Sequence, residues 1–252
     1  MPKLTVLDMV QDILSDMDSD EVSSIDDTIE AMQVAQIIKT AFYEIINDGD
    51  WPHLGQLLQL DASGDSDMPT HMTLPDDVRY MEWVKYNKRK STDTKDQYAS
   101  VTYLDPMDFV DKLNQRDSSN DDITAVVDDS GITLLILTNA APTYYTSFDN
   151  DGIVFDSYDS GVDSTLQSSK VQSYGFREPT FTISDAFVPD LPSKAFPYLL
   201  AESKSVAFNV LKQSANPKEE QRAGRQKRRL SQERWRMEGK ITYPNYGRRG
   251  FK

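Results

Sequence analysis

The sequence predicts an α+β protein: a helical bundle, built from two N-terminal helices plus C-terminal helices, with a large β-rich insertion and an extended C-terminal tail. Three observations predict it. Apolar residues recur at 3/4 spacing up to Asp48 and again after Ala195, as on buried helix faces. Between these stretches, short apolar or alternating runs are separated by Asp/Ser/Asn/Gly clusters, the pattern of strands and turns. Positive charge is gathered at the C-terminal end. The chain divides accordingly into an N-terminal helical hairpin (1–53), a β-rich insertion (54–191), a returning bundle helix (192–216) and a basic C-terminal helix with a docking tail (217–252).

The first helix is expected over Val6 to Met17, where Val6, Val10, Ile13, Leu14 and Met17 share a face and Thr5 can cap the start. The second is expected from Asp27 to Asp48, with Asp26 as N-cap and Ile25 as a hydrophobic staple. Its stripe reads Ile29, Met32, Ala35, Ile38, Phe42, Ile45 and Ile46. Gly49 and Pro52 end it.

Strands are expected at Leu57–Leu60, Tyr80–Tyr86, Ala99–Tyr103, Thr124–Asp128, Thr133–Leu137, Thr143–Ser147, Ile153–Phe155 and Thr180–Ile183. Asp129-Ser130-Gly131 and Asn150-Asp151-Gly152 stand where hairpin turns belong. A short helix from Pro106 to Gln115, capped by Asp105, interrupts the strands. Helix returns from Ala195 to Lys212 on a stripe of Leu199, Leu200, Ser203, Val206, Ala207, Val210 and Leu211. Asn216-Pro217 then opens a last helix to about Glu238, acidic in its first turn and arginine-rich later, as the helix dipole prefers. Its apolar residues, Ala223, Leu230, Trp235 and Met237, are too few to bury a full face.

Net charge is −14, unevenly placed. Residues 217–252 carry 12 Lys+Arg against 4 Asp+Glu, a net +8; the other 216 residues keep 15 basic and 37 acidic groups, a net −22. An acidic body repels nucleic acid in general, whereas a basic end seeks an acidic partner or a neighbouring copy of the same body.

Chemistry-bearing motifs are sparse. With no cysteine, disulfides, thiolate nucleophiles and cysteine metal sites are excluded. No apolar run approaches the roughly 18 residues of a membrane span, and the N-terminus does not read as a signal peptide. His53 and His71 stand in no catalytic motif and read as turn or surface histidines. Asp16-Met17-Asp18-Ser19-Asp20 resembles the opening of a calcium loop, but Glu21 occupies the position that needs glycine and Asp27 the position that needs a bidentate glutamate. A solvated acidic loop is expected there, and likewise for Asp149, Asp151 and Asp156 around Gly152. Neither phosphate-cradling glycine motif occurs. The expectation is no catalytic, metal or cofactor site, and a protein that is not an enzyme.

The candidate site is instead a partner-binding surface: Arg222, Arg225, Arg228, Arg229, Arg234, Trp235 and Arg236 on the last helix, then Tyr243, Tyr246, Arg248 and Arg249 in the tail. Arginine with Trp and Tyr is the composition of interface hot spots. Docking into a partner groove is the preferred use; a nucleic-acid-binding protein gripping phosphates with the same arm is the alternative.

Several segments carry a resemblance. They are the Leu7–Met17/Ile29–Ile46 hairpin ending in Asp50-Trp51-Pro52, the run from Pro69 through His71 to Pro75, and Pro142-Thr143-Tyr144-Tyr145-Thr146-Ser147-Phe148-Asp149. Further on come Phe155-Asp156-Ser157-Tyr158-Asp159-Ser160, Phe187-Val188-Pro189-Asp190-Leu191-Pro192, Arg234-Trp235-Arg236 and the run from Tyr243 to Arg249. In layout the chain resembles the head-to-tail adaptor of short-tailed bacteriophages, also called tail tubular protein A or the first tail accessory factor. The resemblance implies a virion protein of the neck, made in the host cytoplasm. It implies a homo-oligomeric ring of twelve copies below the portal protein. The bundle would hold the ring, the β insertion would lie on its outside or lower edge, and the C-terminal helix and tail would reach the portal. Tail nozzle or fibre proteins would be further partners. Double-stranded DNA would pass through the lumen during ejection without sequence-specific binding.

Overall fold

A computed structural model describes residues 3–49, 51–90, 92–149 and 151–238, the last seven by their helical backbone alone. The helices are α1 Val6–Asp16, α2 Ile29–Asn47, α3 Pro106–Asn114, α4 Phe196–Leu211 and α5 Pro217–Glu238. The strands are β1 Gly55–Leu58, β2 Asp61–Ala62, β3 His71–Thr73, β4 Val78–Asn87, β5 Tyr98–Tyr103, β6 Ile123–Val127, β7 Thr133–Leu137, β8 Tyr144–Thr146, β9 Gly152–Phe155 and β10 Val171–Arg177. The fold is α+β. It forms two compact units, one of Met1–Leu54 with Pro179–Lys252 and one of Gly55–Glu178.

In the helical unit, α1 starts on a reciprocal capping box: the Asp8 N–H donates to Thr5 Oγ1 at 3.1 Å and the Thr5 N–H to Asp8 Oδ2 at 3.0 Å. Two orphan donors are thereby satisfied, and Val6, Met9, Val10, Ile13 and Leu14 turn inward. The start of α2 differs from expectation. Ser24 caps a separate 3-10 turn, Ile25–Asp27, and the cap of α2 is Thr28, whose hydroxyl accepts from Ala31 N at 3.1 Å. Asp26 is not the cap, because the Asp27 carboxylate accepts the Ser23 and Ser24 N–H groups and closes the preceding turn first. The buried stripe shifts with it. Ile29 is 80% and Met32 50% exposed, while Ala31, Val34, Ala35, Ile38, Ala41, Phe42, Ile45 and Ile46 face the core.

The indole N–H of Trp51 donates to the Ile45 carbonyl at 3.0 Å and satisfies one of the last acceptors of α2. Thr180–Ile183, expected as a strand, pairs with no ladder. Its Phe181 packs on Phe42 (ring centroids 5.2 Å apart) and Phe187 (5.1 Å), and its N–H donates to the Tyr43 hydroxyl. Aromatic packing on α2 has replaced strand pairing, and the chain leaves the sheet at Arg177.

Helix α4 buries Phe196, Leu199, Leu200, Ser203 and Ala207. Val210 stands 60% exposed, so the stripe ends a turn earlier than its spacing suggests. The amine of Lys204 is buried between the carboxylates of Asp12 and Asp16 on α1, at 2.8 and 2.5 Å. Burial alone would lower its pKa, but the two carboxylates outweigh burial and hold the amine above its ordinary value.

In the β-rich unit the strand order is β1-β10-β4-β5-β8-β9-β3-β2, antiparallel throughout except for the parallel pair β5/β8; β6 and β7 form a separate hairpin. The β6–β7 turn falls at Asp129-Ser130-Gly131 as expected, with Gly131 at φ +80, a conformation that favours glycine. Strands β2, β3 and β10 were not expected. In β10 the inward positions are Val171, Ser173 and Gly175, and the outward ones carry Tyr174 and Phe176, the reverse of an ordinary apolar-in alternation. Those aromatics stack across the sheet, Tyr174 on Trp83 and Phe176 on Tyr80. A Cβ on Gly175 would lie 2.4 Å from the Tyr80 carbonyl oxygen, so only glycine allows this approach.

The central fixing point of this unit is Asp156, which was expected in a solvated acidic loop but is buried, because its carboxylate is fully engaged by backbone N–H groups and an arginine. One carboxylate oxygen accepts the N–H groups of Thr143 and Tyr144, each at 2.9 Å; the other accepts from Arg116 at 2.9 Å. Arg116 also donates to the carbonyls of Leu135 and Asp156. The residue just after α3 is thereby tied to β7, β8 and the end of β9. Truncation by Asp156→Ala leaves the half-buried Arg116 guanidinium without its counter-charge and the Thr143 and Tyr144 N–H groups unpaired. It is expected to cost about 3–5 kcal/mol, read as a lowered urea midpoint for the β-rich unit.

Candidate functional site

The candidate surface is built on α5. The Asn216 side chain accepts from Glu219 N at 3.4 Å, Pro217 follows as the first helical residue, and Glu219 and Glu220 occupy the first turn. Each choice suits a helix start: a cap for an orphan N–H, a residue lacking one, and negative charge at the positive end of the dipole.

This helix does not stand alone, as its few apolar residues suggest. It packs on α4. Ala223 and Leu230, one heptad apart, are buried at 3% and 7% exposure. Between them Lys227 reaches Asp48 at the C-terminal end of α2, Nζ to Oδ2 3.5 Å. The small Ala223 lets the α5 backbone come close to α4, and Leu230 one heptad on supplies the apolar anchor of the seam.

The seat beneath α5 is acidic. Glu202 on α4 has its pKa raised, first by burial and then by Glu44, with Lys227 pulling the other way. Tyr198 is pushed up to about 12, mainly by burial and further by Glu202, Asp48 and Glu44. Lys227 thus supplies a positive charge where the bundle holds excess negative charge. The charge pattern of Lys227, Glu44, Asp48 and Glu202 along this seam escapes a sequence reading because its members come from α2, α4 and α5. The i, i+4, i+7 placement of Ala223, Lys227 and Leu230 is the trace that the sequence does carry.

On the other sides of α5, Arg222, Arg225, Arg228 and Arg229 are exposed. Arg222 leans on Glu219 at 3.4 Å and Arg225 on the Gln221 carbonyl at 3.3 Å. These contacts lie within the same helix and position the guanidinium groups without burying them. Arg234, Trp235 and Arg236 continue on the α5 backbone. Tyr243, Tyr246, Arg248 and Arg249 lie outside the described residues.

Such a row has the geometry to bind carboxylates or phosphates through forked hydrogen bonds. The two histidines lie elsewhere. His53 Nε2 is 3.1 Å from the Asp190 carbonyl oxygen, and His71 Nε2 is 3.1 Å from Asp128 Oδ1. Among the described residues no group of three or more His, Asp or Glu side chains is placed to hold a metal ion, and no helix is long and apolar enough to cross a membrane.

Two measurements test the seat. Leu230→Ala removes the larger of the two buried apolar groups, at about 2–3 kcal/mol. It is expected to speed amide exchange across α5 while α1 and α2 keep their protection. Glu202, with a raised folded pKa, costs stability when ionised; the cost disappears where both folded and unfolded chains are protonated. Glu202→Gln is therefore expected to raise Tm at about pH 7 and to leave it unchanged below about pH 4.

No model of a known protein family matches this chain, and no curated protein matches it either.

Proposed function

We propose that the chain is a structural component of a short-tailed bacteriophage virion: the head-to-tail adaptor, assembled as a ring that joins portal to tail and forms part of the DNA conduit. The observation that carries this reading is the exposed row Arg222, Arg225, Arg228 and Arg229 on a helix anchored to an otherwise acidic chain. A conduit for DNA works best when its wall does not grip phosphates, and a body of net −22 meets that requirement. A cationic arm on such a body serves protein docking better than DNA binding, because the body opposes the approach of a polyanion. The arm's partner in this reading is an acidic surface of the portal, reached by 222–236 and by Tyr243–Arg249.

The function so described is assembly and passage, not turnover. The arginines supply positive charge and forked donors, and Trp235 with the tail tyrosines supplies apolar anchoring of the kind found at interface hot spots.

The test is attachment to purified portal rings, scored by co-sedimentation and electron microscopy. Deletion of Ile241–Lys252 is expected to abolish attachment. Arg222→Glu, Arg225→Glu, Arg228→Glu and Arg229→Glu combined are expected to weaken it at least about a hundredfold, at roughly 1 kcal/mol or more for each contact. Normal attachment by the deletion variant defeats the assignment. Salt-dependent DNA binding by the full chain would favour the nucleic-acid-binding reading instead.

A further inference from the structure

The β-rich unit contains a cleft of about 560 Å³, bounded by α3, β3, the β6–β7 turn and the segment between β8 and β9. That is within the range of about 300–1,000 Å³ typical of ligand-sized pockets. Val110, Leu134, Ile153 and Val154 contribute to its apolar lining. Two large apolar side chains border it in the open: Ile132 is 58% and Phe148 42% exposed. Phe148 is steadied by an edge-on contact with Phe109, ring centroids 6.2 Å apart.

Around this apolar interior stand four carboxylates, Asp128, Asp129, Asp149 and Asp151. Two are held in place by their own loops. The Asp128 side chain accepts from the Ser130 N–H and hydroxyl and lies beside His71; Asp149 Oδ1 accepts from the N–H groups of Asp151 and Gly152. Among the described lining residues there is no lysine or arginine. An apolar slot rimmed with fixed negative charge selects a segment that presents cations beside aromatic rings.

The chain itself supplies such a segment. Residues 239–252 contain Lys240, Arg248, Arg249 and Lys252, with no Asp or Glu, interleaved with Ile241, Tyr243, Tyr246 and Phe251. We propose that this cleft receives residues 239–252 of a second copy of the chain. Taking the four cations of 239–252 from a chain of net −14 leaves −18 on the remainder, so copies repel unless positive charge passes between them. A segment of +4 seated against the next copy's carboxylates offsets that repulsion and couples neighbours in a ring. The choice of a second copy rests on the ring reading above; the chemistry of the cleft does not. A portal surface that binds the same segment would compete with the cleft, so the arm would be handed from one to the other.

The test uses the full-length protein without portal. Phe251→benzoylphenylalanine places a photoreactive group in the segment, and isotopically heavy and light copies are mixed before irradiation. The expected result is heavy–light crosslinks that map to residues 128–134 and 148–153. Asp129→Lys with Asp151→Lys, both exposed positions, is expected to reduce their yield roughly tenfold or more while leaving the circular dichroism spectrum unchanged. Crosslinks to the cleft within single copies only, crosslinks mapping elsewhere, or no crosslinks would each overturn the proposal. Portal attachment is scored separately: attachment without cleft crosslinks discards the cleft and leaves the adaptor reading standing. Cleft crosslinks without portal attachment do the reverse.

Discussion

The arrangement depends on how a strongly cationic helix is kept folded on an acidic bundle. A helix of 22 residues is about 33 Å long, and one so rich in arginine gains little from its own sequence, because like charges at i, i+3 and i, i+4 repel. Order comes from outside. Ala223 and Leu230 give it a narrow apolar seam, and Lys227 lies between them against Asp48. Asp48 follows directly on the last residue of α2, where the helix dipole disfavours a negative charge, and Lys227 offsets that cost. Glu44 and Glu202 make the same surface acidic. The bundle thus attracts the cationic helix on one side and leaves the arginines of the other sides free of burial.

The β-rich unit solves a different problem. Its sheet includes short strands and a parallel pair, so hydrogen-bond ladders alone hold it loosely. Buried polar contacts and aromatic stacking compensate. Asp156 gathers Arg116, Thr143 and Tyr144 into one hydrogen-bonded network, and the rings of Tyr80, Trp83, Tyr174 and Phe176 cover the outer face, Tyr174 and Phe176 lying over Gly55, which has no side chain. A partly satisfied network of this kind would weaken the unit; a satisfied one makes it specific.

Helices were the most legible part of the fold, because a 3.6-residue period sustained over several turns is hard to produce otherwise. The capped ends of α1 and α3 and the Asn216-Pro217 start of α5 could be read from single residues. Reading failed where two local signals competed, as at Ser24 to Thr28, where two overlapping caps made Asp26 look like the helix start. It failed again in β10, where the apolar face points outward and the inward face is Val, Ser and Gly. Thr180–Ile183 has the composition of a strand, yet the pull of Phe42 and Phe187 on Phe181 decided its fate. Of the candidate surface, the arginines stood out by charge and the tail aromatics by composition. The seat beneath them did not, since Glu44, Asp48 and Glu202 converge only through the packing of α2 and α4 under α5. The cleft in the β-rich unit was equally hidden, its carboxylates lying in two turns separated by about twenty residues of sequence, a distance that only folding removes.

The central claim is that the arginine-rich arm exists to engage an acidic protein partner, with the portal as that partner. The most direct measurement is the native mass of the intact protein, alone and mixed with the candidate portal, over a range of salt concentrations. The account predicts a discrete assembly of many copies on the portal that dissociates as salt screens the arginines. A mass that never exceeds that of the separate components, at any salt concentration, would contradict it.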